Sequence, residues 1–160
     1  MAYQNLLMED GAGVRRITIN RPDKLNALNS ATIADLADAF SAAGADTSVR
    51  VVVLTGSGQK AFVAGADISE FGGLSREQAM ALAKRGQDVF FKIENSRKPI
   101  VAAVNGVVAG GGLALALMCD IRFAAAGAKF TTAFSRRGLI AEYGMSWILP
   151  RLVGPAKAMD

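Results

Sequence analysis

Two stretches of small residues hold the groups best suited to chemistry in this chain. The apolar run Ile100–Val104 leads into Asn105-Gly106-Val107-Val108-Ala109-Gly110-Gly111-Gly112, and the apolar segment Leu113–Cys119 comes next. Three consecutive glycines opening a helix leave backbone N–H groups unpaired at its positive end. The second stretch, Ala64-Gly65-Ala66-Asp67, is small enough for backbone to approach a ligand closely. One amide from each stretch, brought together, can hold a developing oxyanion. Glycines so placed also serve a close helix–strand crossing, and taken alone they favour that packing reading, because packing glycines outnumber catalytic ones.

Absences narrow the chemistry further. The 160 residues include no histidine and one cysteine, Cys119. Ser-His-Asp and Cys-His triads, an internal disulfide, thiolate metal clusters and most catalytic zinc sites are thereby excluded. Carboxylates, hydroxyls, lysines and backbone dipoles remain. Cys119 lies in an apolar helical run and is expected to pack in the core. Gly56-Ser57-Gly58-Gln59-Lys60-Ala61 has the spacing of a dinucleotide fingerprint, but Phe62–Asp67 continues it with another glycine and no helical period. A pyrophosphate needs a helix N-terminus at that point, so the segment reads as a surface turn and no nicotinamide cofactor is expected.

Charge and length set the remaining bounds. The net charge is +4, yet Lys and Arg are scattered and aromatic residues make up only 7%. That pattern offers no base-stacking platform, so no nucleic-acid partner is expected; a small polyanion such as a phosphorylated cofactor suits the field as well. No apolar run approaches the roughly 20 residues that span a bilayer. The first residues carry no charged segment followed by an apolar one, so a cytoplasmic location is expected.

The elements that must position these groups alternate between strand and helix. Val14–Ile19 reads as a strand, closed by the turn Asn20-Arg21-Pro22-Asp23. Ser30 is the expected N-cap of a helix to about Ala43, with Ile33, Leu36, Ala37 and Phe40 on one face. Val51–Thr55 reads as a strand buried on both sides. Ser75-Arg76-Glu77-Gln78 has the form of a capping box and opens an amphipathic helix to about Glu94. Lys98-Pro99 ends that helix, and Ile100–Val104 supplies another buried strand. The class is α/β, and residues 1–160 read as one domain.

Five segments in order resemble the enoyl-CoA hydratase/isomerase (crotonase) superfamily. They are Ile19-Asn20-Arg21-Pro22-Asp23-Lys24-Leu25-Asn26-Ala27-Leu28; Val52–Gly56; Ala61–Ile68; Lys98–Gly106 with Gly110–Gly112; and Met118-Cys119-Asp120-Ile121-Arg122. The resemblance runs from near the N-terminus to the last residue. It implies a fold of repeated ββα units and an acyl-CoA thioester as ligand, with no cofactor beyond the CoA moiety. It also implies that the N–H groups of Ala66 and Gly111 grip the thioester oxygen. Arg21, Lys24, Ala64, Asp67 and Ile68 become the expected CoA-binding set, and Asp67 is expected to cap the segment after it rather than to catalyse.

Two departures from the family pattern matter. Hydratases of this family place one glutamate two residues beyond the glycine triplet and another shortly after an Ala-x-Phe-Gly-x-Pro stretch; Ala114 and Phe134 stand there instead. Gly138-Leu139-Ile140-Ala141-Glu142-Tyr143-Gly144 resembles the segment from which some Δ3,Δ2-enoyl-CoA isomerases supply one catalytic glutamate. Glu142 is therefore the candidate base, expected in a dry cavity walled by Ala114 and Phe134, and a glutamate beside a helix N-terminus is the alternative. Isomerase-like single-glutamate chemistry is preferred; atypical hydration and a non-catalytic acyl-CoA-binding paralogue are the alternatives. The second departure is length. Family chains continue beyond Asp160 into helices that complete the acyl pocket and a trimer interface, so the chain reads as an N-terminal fragment lacking that helical trimerisation region. A homo-oligomer is the expected assembly.

Overall fold

One unit, two strands and a helix, recurs four times along the chain. The computed structural model describes residues 3–159. The first unit is β1 (Leu6–Gly11), β2 (Val14–Ile19) and α1 (Ser30–Ala45), and the second is β3 (Val51–Gly56), β4 (Ala61–Val63) and α2 (Arg76–Glu94). The third is β5 (Ile100–Val104), β6 (Val107–Ala109) and α3 (Gly111–Met118). The fourth is β7 (Ile121–Ala124), β8 (Phe130–Thr131) and α4 (Met145–Val153), with α5 (Pro155–Met159) after it. The expected α/β architecture of ββα repeats is borne out.

After the first unit, the two strands of each repeat go to different sheets. β1 and β2 form an antiparallel hairpin, and β2, β3, β5 and β7 then run parallel in a five-stranded sheet ordered β1-β2-β3-β5-β7. β4, β6 and β8 form a second parallel sheet in that order. The two sheets therefore advance in step, and every return from a small-sheet strand leads toward a helix. That arrangement sets the C-terminal ends of β4 and β6 side by side, together with the Ala64–Asp67 and Gly110–Gly112 segments that extend from them.

Local chemistry explains where the helices begin. Asn29, not Ser30, caps α1: its extended backbone lets Oδ1 accept from the Thr32 N–H at 2.8 Å. Ser30 is the first helical residue, and its N–H and hydroxyl donate to Glu70. The Ser75 capping box at α2 forms as expected. α3 is apolar all round because it is buried all round: Gly111 through Leu117 are enclosed. β3 differs from its expectation. Alternate residues are only half-buried, because the hidden face takes Val52 and Leu54 while the other face is partly open.

The core lies between the main sheet and α1, α2 and α3, with Ile17, Ile19, Leu36, Leu54, Ile100 and Leu115 fully enclosed. At the far edge of the main sheet, Ile121 and Phe123 are exposed on β7, as is Phe130 on β8. Among the described residues, no helix is long and apolar enough to cross a membrane.

Candidate active site

The glycine triplet forms a turn and a helix start. Gly110 has φ +49° and caps α3 without a side chain, and its N–H donates to Thr131 O at 3.2 Å. Its carbonyl accepts from Leu113 and Ala114 at 3.0 and 3.1 Å, which leaves Gly111 as the first helical residue. Gly111 N–H accordingly has no acceptor within the helix and stands at the positive end of its dipole. Gly112 answers to the packing reading, since a Cβ there would overlap the carbonyl oxygen of Val63. Gly112 thus lets α3 lie directly on β4, while Gly111 sets its amide at the helix start.

The Ala64–Asp67 segment is held by pairing to Leu28. Leu28 N–H donates to Gly65 O, and Asp67 N–H donates to Leu28 O, both at 2.8 Å. In that parallel bridge the Ala66 N–H faces away from Leu28. On the other side, β4 and β6 pair at Val63 and Val108. Ala66 and Gly111 each lie three residues beyond that pair, on segments that run side by side. A Cβ on Gly65 would sit 3.4 Å from Ala109 O, which measures how closely the segments approach.

Arg21 and Asp67 lock this loop. The guanidinium donates to Asp67 Oδ2 at 2.8 Å and also to the carbonyl of Ala27. Asp67 caps the short helical turn Ile68–Glu70 as expected, accepting from the hydroxyl of Ser69 at 2.7 Å and from its N–H. The Ser69 hydroxyl, then the Arg21 guanidinium, hold the Asp67 carboxyl at about 2. Of the five expected CoA-binding residues, Arg21 and Asp67 are therefore engaged with each other. Lys24 and Ile68 are exposed, and Ala64 is half-buried with its N–H on Leu25 O at 3.1 Å.

Asn26 is a residue whose role the sequence reading missed. It is buried with φ +56°, and its Nδ2 donates to Ser57 O at 3.0 Å and Ala61 O at 2.8 Å. Its Oδ1 accepts from the Arg21 N–H and the Ser57 hydroxyl. This one amide pins the Arg21 loop to the start of β4. An asparagine in a polar loop carries no periodicity signal, and only its place in the Asn20–Leu28 segment marked it.

A cavity of about 380 Å³ opens between α2, the end of α3 and the start of α4. Phe90, Phe91, Met118, Tyr143 and Trp147 line it, with Gln87 and Glu94 as its polar members. Glu142 is exposed, in contrast to the dry setting expected for it, while its neighbours Tyr143 and Gly144 face the cavity. The reason is backbone geometry. Tyr143 and Gly144 both take left-handed conformations, φ +52° and +71°, and the reversal turns Tyr143 inward and leaves Glu142 outside. Ala114 and Phe134 are buried in the core cluster and do not line this cavity.

Comparison with known proteins covers nearly the whole chain. Residues 9–160 match the enoyl-CoA hydratase/isomerase family profile. The crotonyl-CoA hydratase of Syntrophomonas wolfei is 44% identical over 158 residues, which are 99% of this chain and 61% of that protein. The 1,2-epoxyphenylacetyl-CoA isomerase of Escherichia coli is 39% identical over 151 residues, 92% of this chain and 57% of that one. The crystal structure of an enoyl-CoA hydratase from Bacillus anthracis superposes with a TM-score of 0.92 at 34% identity, covering 97% of this chain and 60% of that one. The chain thus spans about three fifths of the length of the curated relatives it matches.

Proposed function

We propose that this chain, which belongs to the enoyl-CoA hydratase/isomerase family, binds an acyl-CoA thioester and stabilises its enolate between the amides of Ala66 and Gly111. The observation that carries this reading is the side-by-side run of the two segments beyond the Val63–Val108 pair, with Gly111 at a helix start. A thioester carbonyl acidifies the adjacent carbon, and two fixed N–H donors stabilise the charge without an imidazole. The reaction then needs no cofactor beyond the CoA moiety.

Glu142 is the base in this reading. It removes a proton from the α-carbon of a 3-enoyl thioester, electrons move into the thioester oxygen, and the same carboxyl returns the proton at the γ-carbon. The double bond shifts and nothing else changes. Ala114 and Phe134 stand where two further carboxylates would be required, which favours this one-base reaction over ordinary hydration. Hydration is the second reading. The exposure of Glu142 favours it, since a solvent-facing carboxylate has water within reach.

The test compares turnover of a 3-enoyl-CoA and a 2-enoyl-CoA, with and without Glu142→Gln. Isomerisation lost in the variant supports the first reading, and hydration lost in the variant supports the second. Retained thioester affinity with no turnover of either substrate by the native chain would make it an acyl-CoA-binding paralogue instead. Homo-oligomeric assembly and a cytoplasmic location belong to the same proposal. Exposed Ile121, Phe123 and Phe130 along the sheet edges supply an apolar surface for association.

A further inference from the structure

We propose that Tyr143 sets acyl-chain length, as a fixed aromatic wall between the Gly111 amide and the cavity behind it; this rests on the acyl-CoA reading above. The ring touches both sides of that boundary. A Cβ on Gly111 would lie 3.6 Å from Tyr143 Cε2, and the same side chain lines the cavity of about 380 Å³. An acyl group whose thioester oxygen sits on Gly111 therefore meets the tyrosine within its first carbons.

Three independent features hold the ring in place. Phe90 stacks on it, with centroids 4.6 Å apart and planes 19° apart. Gly86, one turn before Phe90 on α2, lies at the Cε1 and hydroxyl end of the ring, where a Cβ would approach Cε1 to 3.0 Å and the hydroxyl oxygen to 3.2 Å. Glycine is a poor residue for the middle of a 19-residue helix, and this buried one makes room for the ring. Finally, Tyr143 holds a left-handed backbone that a bulky residue adopts only under constraint from its surroundings. Gly86 and Tyr143 form a matched pair: the helix gives up a side chain so that the ring can stand against Gly111.

Beyond the wall, Phe90, Phe91, Met118 and Trp147 offer an apolar space that a longer chain could fill. With the tyrosine in place the site takes short acyl groups, and with it removed the space joins the site.

The experiment measures binding of butanoyl-CoA, decanoyl-CoA and free CoA by calorimetry to the native protein, Tyr143→Phe and Tyr143→Ala. The native protein and Tyr143→Phe are expected to prefer butanoyl-CoA by about tenfold or more, and Tyr143→Ala is expected to gain about tenfold for decanoyl-CoA. Equal or tighter native binding of decanoyl-CoA overturns the wall without recourse to any variant. A folded Tyr143→Ala with an unchanged length profile overturns it as well. Failure of every thioester to bind the native protein more tightly than free CoA would instead overturn the acyl-CoA reading, and the wall with it.

Discussion

The guanidinium of Arg21 donates to the carboxylate of Asp67 at 2.8 Å across 46 residues of sequence, with both side chains largely enclosed. Asp67 ends the segment that carries the Ala66 amide, and Arg21 ties that end to the Asn20–Leu28 segment. The Asp67 carboxyl is held at about 2, below its ordinary value of 3.8, first by Ser69 and then by Arg21. The folded chain therefore binds fewer protons here than the unfolded chain between those two values. Its stabilising contribution is full above the ordinary carboxylate range and is lost as pH falls through about 2. Thermal midpoints of the native protein and Asp67→Asn should differ most near neutrality and converge as pH approaches 2. A gap independent of pH would show that the carboxylate charge is not what matters.

Asn26→Ala removes one side chain that satisfies four backbone and hydroxyl groups, two of them strand-flanking carbonyls. Part-buried groups lose their partner while Ala61 O keeps the Asn105 amide at 3.2 Å, and the expected loss is about 2 kcal/mol in urea unfolding. A loss under about 0.5 kcal/mol would mean that water replaces the amide freely.

Gly112→Ala tests the close crossing of α3 and β4. The added methyl would overlap the Val63 carbonyl, a backbone atom with no rotamer to yield. Destabilisation of about 3 kcal/mol is expected, together with weakened thioester binding, because relief requires moving the turn that carries Gly111. Gly44→Ala is the contrast: nothing lies near the added methyl, and its helix should gain a few tenths of a kcal/mol to about 1 kcal/mol.

Glu142→Gln should lower kcat for the preferred enoyl-CoA by about a hundredfold or more while leaving KM nearly unchanged, as loss of a general base does. Glu94→Gln, at the polar edge of the cavity, should change KM more than kcat. The reverse pattern in steady-state kinetics would move the base from the turn to α2.

Cys119 should resist alkylation in the folded protein. The thiol is buried, its Sγ lies 3.4 Å from Leu115 O, and burial pushes its pKa up to about 12. Iodoacetamide at pH 8 is expected to label it only upon unfolding, so labelling can report opening of α3. Rapid labelling of the native protein would show that α3 opens readily.

Short strand-forming runs bounded by turn and stop residues located β2 and β5 closely, and a capping box followed by an amphipathic stripe located α2. The Ser75 capping box was legible for a similar reason, since it is settled within a few residues of chain. The glycine triplet and the Ala64–Asp67 segment were legible as candidates. Their adjacency was implied by the family resemblance alone and by no local pattern. It depends on β4 and β6 leaving the main sheet to pair with each other, and neither three-residue strand carries a partner code.

Glu142 and Tyr143 show the same division most directly. Their types and order were plain in the sequence, and the resemblance singled out the glutamate. Which of the two faces the cavity was decided by left-handed backbone at Tyr143 and Gly144, together with the space beside Gly86 and the face of Phe90. Those contacts join residues more than fifty positions apart, so no local propensity encodes them. Sequence determined the chemical types available, backbone amides at glycine-rich turns and carboxylates without imidazole. Tertiary packing decided their directions, because a side chain's heading is set by the volume its distant neighbours leave open.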